Sequence, residues 1–567
     1  MAIYRKKRAL FRSPIEKGQI FRGAKGGIKT ALVYPNTYQA GMSSLGFQKV
    51  FQLFNALDGM VCERVFMPAK SSRPAPARSC ETGRELGRFD IIAFSISFEN
   101  DYANLVTLLQ TAGIPPWQNQ RNENHPLVMA GGVACFLNPE PLAPFMDCFL
   151  LGEIENTLHQ FSNLIQDFPL KQHLTQEMAL KIPGLYIPSL YTPLYDERRL
   201  FAGHEKNHPK APDTIQVQHI AHLEEHQTVT GIISSDTAFK NTCLIETGRG
   251  CHHGCRFCSA GFIYRPPRVY PKEVITRAMD QASELTNRIG LVSAAVSDHP
   301  QINDICTWGI EKSLNISFSS LRLDALTHEL VDTLAASGVK TATIAPEAGT
   351  QRMRNIINKK VTRSDILSAV KTLVQGGIIN LKLYFMLGLP FETDSDVEGI
   401  ISLTLEIRDV FLEESKKNKK IGTITLSVNP FVPKPATPFQ WLPMAPAAVL
   451  KKRTNHLKNS LKKIPNMKIN CESHRMARIN GVLARGDQRV ATLIETAANE
   501  GWSKAVSKKD LATYLYREID TEAPLPWDIL DSGIKKSFLI RELQRAKREK
   551  ITPDCPMIDC EKCGICR

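Results

Sequence analysis

Short apolar runs alternate with amphipathic stretches along most of this chain. Near its start, "KTALVYPN" is the kind of run that forms a buried strand, and "SSLGFQKVFQLFNAL" repeats apolar residues at helical spacing. "FDIIAFSISF", "HPLVMAGG" and "MDCFLLGE" are further strands, and "NDYANLVTLLQTAG" is a helix between the first two of them. This alternation predicts a doubly wound parallel sheet with helices on both faces. Ligands of such sheets sit at the carboxyl ends of the strands, which places Asn36, Tyr38, Gly41, Ser95, Ser97, Gly131, Gly132, Gly152 and Glu153 at a candidate site.

The pattern weakens between 183 and 240, where short alternating runs such as "TIQVQHI" sit among Pro, His and charged residues. A second alternating region begins near 241. Its strands are "TCLIETGRG", "RIGLVSAAVS", "NISFSSLRLD", "TATIAPEAG", "LKLYFMLGLP" and "IGTITLSVNPFVP", with helices such as "RSDILSAVKTLVQGG" between them. These units predict a partial (β/α)6 barrel rather than a full eight-unit one. Residues 471–554 are mostly helical in pattern, and the chain ends in "CPMIDCEKCGICR". The expected organisation is a basic segment 1–28, a sheet domain 29–182, a linker 183–240, a barrel 241–470 and a helical region 471–567 closed by a cysteine site.

With 567 residues the chain is too long for one ordinary domain, and its 43% hydrophobic and 23% charged content is that of a globular protein. "MAIYRKKRAL" has charge but no apolar run behind it, and no stretch is long and apolar enough to span a bilayer. A cytoplasmic protein without a membrane partner is expected. The net charge of +14 fits an RNA partner, a solvated basic surface, or docking of an acidic electron-transfer protein. Walker-type phosphate loops and serine-hydrolase elbows are absent, which argues against nucleotide hydrolysis and acyl transfer.

Of the fourteen cysteines, seven fall in two tight groups. Cys251, Cys255 and Cys258 have C-x3-C-x2-C spacing just after a predicted strand, where barrel active sites lie. Gly248, Gly250 and Gly254 let the backbone wrap closely around a bulky guest. Three thiolates satisfy three irons of a 4Fe–4S cluster and leave one iron open for a substrate's amine and carboxylate. Zinc, with His252 or His253 as a fourth ligand, is the alternative.

The C-x3-C-x2-C loop, with Phe257 before its last cysteine, resembles the radical SAM superfamily. "FMLGLPFET" resembles that superfamily's fifth-strand motif, in which Gly388 and Pro390 let the backbone approach adenine. "APEAG" resembles the fourth-strand segment, where Glu347 reaches the ribose or methionine end of S-adenosylmethionine (SAM). "SFSSLRLDAL" resembles the third strand, with Ser320 and Arg322 near the same ligand. Over nearly the whole chain, "RGCxxGCRFCxAGxIYRP", "LRLDAL" and "APEAGTQRMRNIINK" are similar to an uncharacterised family with an N-terminal cobalamin-binding-like domain. "CHHGC" departs from the proline and basic residue usual there. The resemblance implies reductive cleavage of SAM to methionine and a 5′-deoxyadenosyl radical, under anaerobic conditions and with a flavodoxin or ferredoxin as electron donor.

The N-terminal sheet carries a partial match to D-x-H-x-x-G, the cobalamin motif. Asn36 stands for Asp, Tyr38 for His, and Gly41 is in register, followed by Ser95, Ser97 and Gly131–Gly132. The cobalt-ligating histidine is absent. Either cobalamin binds with its lower face free, or the sheet binds nothing. At the other end, Cys555, Cys560, Cys563 and Cys566 are spaced C-x4-C-x2-C-x2-C, a closed metal site whose spacing favours a second Fe–S cluster over zinc. Arg475, Arg478, Arg485 and Arg489 are candidates to grip phosphates, or else are salt-bridged. Three readings follow: a radical SAM enzyme, cobalamin-assisted in methyl transfer and acting on RNA; a sulfur-inserting enzyme that uses the terminal cluster; or a non-catalytic Fe–S or SAM-sensing module. The substrate and the oligomeric state are not written in the sequence.

Overall fold

The computed structural model describes residues 15–18, 27–68, 75–167, 181–319, 321–507 and 511–566. Most of the basic segment 1–28, and Ser320, lie outside the described residues. Strands β1 (Ile28–Tyr34), β2 (Met60–Phe66), β3 (Ile91–Ser95), β4 (Leu127–Gly131), β5 (Cys148–Leu150) and β6 (Leu185–Tyr186) form a six-stranded sheet in the order β2-β1-β3-β4-β5-β6. All neighbours are parallel except β5 and β6. Every residue of β2 is buried, as expected of a strand covered on both faces, which has no need to alternate. The chain winds from β1 outward to β2 and then returns to place β3 on the other side. The crevice at the carboxyl ends of β1 and β3 is therefore the place where this topology leaves room for a ligand.

The barrel is an open arc. Strands β7 (Cys243–Glu246), β8 (Arg288–Val292) and β9 (Asn315–Phe318) form one parallel group. Strands β10 (Thr341–Glu347), β11 (Asn380–Leu387), β12 (Ile424–Pro430) and β13 (Met467–Cys471) form another. No ladder joins β9 to β10 among the described residues. The six expected barrel strands are present, and β13 adds one that the pattern did not reveal. Along β11, Leu381, Leu383, Phe385 and Leu387 alternate into the core, under helices Arg363–Gln375 and Asp394–Lys417. Lys382, Tyr384 and Met386 are left on the opposite face.

Two regions tie the units together. The stretch 183–240, expected to be an extended linker with a little β-structure, is a strap with short β pairings. It holds a hairpin, Tyr191–Tyr195 against Phe201–Lys206, and Ile215–Gln216 pairs with Leu530–Asp531. Ile232–Ser234 pairs with Glu16–Gly18. The helices after β13 are not a separate unit either. His474–Arg485 and Ala491–Glu500 share the core of the N-terminal sheet. There, Trp117 Nε1 donates to Glu495 at 2.7 Å, and Asn138 Nδ2 donates to the carbonyls of Ala484 and Gly486 at 3.1 and 2.8 Å. "RGDQR" is the turn between these helices, with the Asp487 carboxylate accepting from the Arg489 N–H at 3.0 Å. Helix Lys536–Lys547 instead packs Phe538, Leu539 and Leu543 with Phe262 and Trp527, under the barrel's cysteine loop.

Candidate active site and its two cysteine clusters

The loop leaving β7 carries Cys251, Cys255 and Cys258, all half-buried. Gly250 and Gly254 turn it, with φ of +85° and +65°. A Cβ on Gly250 would meet the Tyr264 carbonyl at 2.5 Å, so the tight approach requires glycine. Asn358 clamps the loop by donating to the carbonyls of His253 and Gly254 at 3.2 and 3.1 Å. Arg256, fully buried, donates to the carbonyls of Asn355, Ile356 and Lys550 at 3.0, 2.8 and 2.7 Å, and to Glu542 at 3.1 Å. Burial pushes the Cys251 thiol up to about 11 and the Cys258 thiol up to about 12. Binding of iron by these two thiols must displace their protons.

Two cations face this loop. Lys359 lies 3.5 Å from Glu347. Burial disfavours its ammonium, yet Glu347 and the nearby Cys255 outweigh that and hold the group above its usual range. Arg322 lies 3.6 Å from Asp298 and also pairs with Asp324. Three thiols in one wrapping loop, with two flanking cations, fit an anionic cluster with one iron left open. The zinc alternative fares worse. Both ring nitrogens of His253 are engaged, Nε2 with Asp298 at 2.5 Å and Nδ1 with Asp554 at 3.0 Å. His252 lies 3.9 Å from the same Asp298 carboxylate.

Glu347 and Arg322 thus gather at the cysteine loop. Gly388 ends β11 with φ of +76°, and its N–H donates to Glu392 at 2.8 Å. A Cβ there would strike Leu450 and Ala445 at 2.7 and 2.8 Å, so packing alone explains this glycine, with Pro390 in the turn beyond it. Lys359 and Asp298 are partners that sequence reasoning missed. Lys359 sits in the quoted "NIINK" stretch, but nothing in its spacing points to the loop.

A cleft of about 480 Å³ separates the N-terminal sheet from the barrel. Ser95, Ser97, Gly131, Gly132 and Glu153 line one side, and Glu246, Arg249, Gly250, Ala260, Tyr264 and Ser293 line the other. Most of its surface is apolar. Its rim is fixed by ion pairs across the two units. Arg249 of the barrel reaches Glu155 at 2.8 Å, and Arg268 holds Glu153, while Glu246 steadies Arg249 from within the barrel at 3.0 Å. Gly132 has φ of +102°, and a Cβ on it would come 2.5 Å from the Ile96 carbonyl.

Three motif positions do not reach this cleft. The Tyr38 hydroxyl donates to Glu16 at 2.5 Å, and Asn36 Nδ2 donates to Asp101 at 2.7 Å. Gly41 packs where a Cβ would strike Phe66 and Tyr34. The phosphate-gripping expectation also meets a structural answer. Arg485 donates to the carbonyls of Leu442 and Arg517, Arg489 is paired with Asp487, and Arg475 donates to Ser503, while the Arg478 Nε is buried without a hydrogen-bond partner among the described residues.

The terminal cysteines fold back onto the first cysteine loop. The Cys555 N–H donates to the His252 carbonyl at 2.8 Å. Thr552 N–H donates to Asn358 Oδ1 at 2.8 Å, and Asp554 pairs with His253 and Lys360. Cys555, Cys560, Cys563 and Cys566 share a cavity of about 50 Å³ with Gly254, Phe262 and Arg265. Burial and the neighbouring thiols of Cys555, Cys563 and Cys560 push the Cys566 thiol up.

A cysteine loop at the mouth of an open α/β barrel, opposite a doubly wound sheet, defines an iron–sulfur enzyme with a second cofactor-sized cleft. The chain carries radical SAM domains: the radical SAM superfamily model matches residues 245–404, and the model for radical SAM proteins, N-terminal, matches residues 46–188. Enzymes of this superfamily use a 4Fe–4S cluster and SAM. The chain is 28% identical over 491 residues to an uncharacterized protein of Methanocaldococcus jannaschii, covering 86% of this chain and 96% of that one. It is 24% identical over 171 residues to an uncharacterized methyltransferase of Pyrococcus horikoshii, covering 29% of this chain and 37% of that one. In fold it is similar to the radical S-adenosylmethionine methyltransferase TsrM of Kitasatospora setae, solved with cobalamin and a 4Fe–4S cluster bound. The TM-score is 0.50 at 11% identity, over 85% of this chain and 99% of that one. The reading of the chain as a non-catalytic sensor is set aside by these domains.

Proposed function

We propose that this radical SAM enzyme binds cobalamin in the cleft between its two units and transfers a methyl group to an unactivated carbon. The observation that carries this reading is the continuity of the cleft. It runs from Ser95, Ser97, Gly131 and Gly132, at the carboxyl edge of the sheet, to Gly250, next to Cys251. An apolar slot of about 480 Å³ suits a flat macrocycle, and the glycines let it approach backbone. The similarity to TsrM in fold and the partial match to a methyltransferase agree with this reading.

When bound, the cluster supplies the electron that splits SAM into methionine and a 5′-deoxyadenosyl radical, and cobalamin supplies the methyl group. Cys251, Cys255 and Cys258 hold the cluster and leave its fourth iron for SAM. Lys359 and Arg322 offset the negative charge there, and Glu347 accepts from the polar groups of SAM. The apolar walls keep water away from the reacting carbon. No histidine lines the cleft among the described residues, so its glycines and apolar walls are what would hold cobalamin there. RNA as the substrate gains no support from Arg475, Arg485 and Arg489, which are already partnered.

The test is anaerobic reconstitution with cobalamin and methyl-labelled SAM. The reading expects corrin absorption that stays with the protein through gel filtration, and label passing from SAM to protein-bound cobalamin. Corrin that elutes entirely free would contradict it.

A further inference from the structure

We infer that Cys555, Cys560, Cys563 and Cys566 hold a second 4Fe–4S cluster, and that this cluster is the port through which the electron enters the enzyme. The inference rests on the radical SAM reading for the electron's destination. The decisive juxtaposition is the hydrogen bond from the Cys555 N–H to the His252 carbonyl at 2.8 Å. It joins a terminal ligand to the residue next to Cys251, so one hydrogen bond and short covalent segments connect the two sulfur sets.

The docking is built rather than incidental. Arg256, inside the first loop, donates to the Lys550 carbonyl and the Thr552 hydroxyl at 2.7 and 3.1 Å. Asn358 grips both strands of the contact, donating to His253 and Gly254 while accepting from Thr552 at 2.8 Å. Arg265, buried and sandwiched 5.1 Å from the Phe262 and Phe538 rings, lines the terminal cavity and sits beside Gly254.

The run of Cys560, Cys563 and Cys566, with a glycine inside it, resembles ferredoxin loops more than zinc ribbons, whose paired cysteines stand well apart. Four cysteines also complete a cubane, so no iron is left to bind substrate. The terminal cavity and the large cleft share no lining residue, so a cluster held by the tail would stand apart from the cleft, which suits electron relay better than sulfur donation.

The outer face of the tail suits a carrier. Ile558 and Met557 are 70% and 41% exposed. Exposed Lys535, Arg541, Lys550 and Lys562 lie in and beside the tail, interleaved with exposed Glu549, Asp554, Asp559 and Glu561, and the basic members are those offered to a low-potential one-electron carrier with an acidic face. In each transfer, one electron leaves the reduced carrier, passes to the terminal cluster and then to the first. The carrier is oxidised by one electron, and no bond is made or broken.

The test uses full-length enzyme reconstituted anaerobically with ferrous iron and sulfide. Wild type should carry about eight irons and no zinc, and the C560A/C563A variant about four. With dithionite as reductant, 5′-deoxyadenosine release by the variant should stay within about two-fold of wild type. With reduced flavodoxin as the sole donor it should fall by about tenfold or more. The K550E/K562E variant keeps all ligands and should lose flavodoxin-driven rate while retaining dithionite-driven rate. Zinc with about four irons in wild type, or flavodoxin-driven rates unchanged in both variants, overturns the inference. Loss of dithionite-driven cleavage in wild type would instead strike the radical SAM reading itself.

Discussion

Arg268 grips Glu153 with two guanidinium nitrogens, at 2.8 and 2.7 Å, and so ties the barrel to the N-terminal sheet at the rim of the cleft. Both side chains are about nine-tenths buried, and Glu153 also accepts from the Ile220 N–H at 2.6 Å. Removing one partner leaves the other charge stranded in a dry environment. R268M should therefore destabilise the interface by about 3–5 kcal/mol. A lowered first transition in differential scanning calorimetry, with earlier proteolysis in the strap 183–240, checks this. E153Q, which keeps the Ile220 bond, should cost less.

Asp101 is buried and receives a hydrogen bond from Asn36, but no cation faces it among its described partners. Burial pushes its carboxyl up to about 6, against 3.8 in its ordinary state. The folded protein therefore holds this proton more tightly than the unfolded chain does. The stabilising share is full below about pH 4 and is lost as the pH rises through about 6, amounting to about 3 kcal/mol over that window. D101N removes the carboxylate while keeping a partner for Asn36. Its melting temperature should gain on wild type as the pH rises from 4 to 7, and a constant difference across that range would contradict the assignment.

Gly132 holds a backbone conformation closed to other residues, with the Ile96 carbonyl 2.5 Å from where a Cβ would stand. G132A should destabilise the sheet by about 1–3 kcal/mol and push β4's carboxyl end into the cleft. Cobalamin retention, read by corrin absorption after gel filtration, should be lower for G132A than for wild type.

Lys359 places a positive charge beside Glu347 and the first cysteine loop. Adding an electron to an anionic cluster becomes harder when a nearby cation is removed. K359M should therefore shift the first cluster's midpoint potential to more negative values, with iron content unchanged. A redox titration followed by EPR reads the shift.

The parallel strands were legible because strands buried on both faces are nearly continuous apolar runs, as in β1 through β4. The first cysteine loop was legible because the spacing of its ligands lies within eight residues. Strand β13 was not, because "MKINC" mixes Lys and Asn into a half-exposed edge. The motif positions Asn36 and Tyr38 fall in register, yet their side chains turn to Asp101 and Glu16, since register does not fix where a side chain points. The docking of the tail left no trace either. His253 and Asp554 meet across 301 residues of chain, through contacts that carry no periodicity.

The central claim is that Cys251, Cys255 and Cys258 hold the cluster that cleaves SAM. The most direct measurement is 5′-deoxyadenosine release under dithionite, together with iron content, for anaerobically reconstituted wild type and the C251A/C255A/C258A variant. The account predicts release by wild type, none by the variant, and a loss of about four irons per chain, with the terminal cysteines still loaded. Equal iron and equal nucleoside release from the two proteins would contradict it.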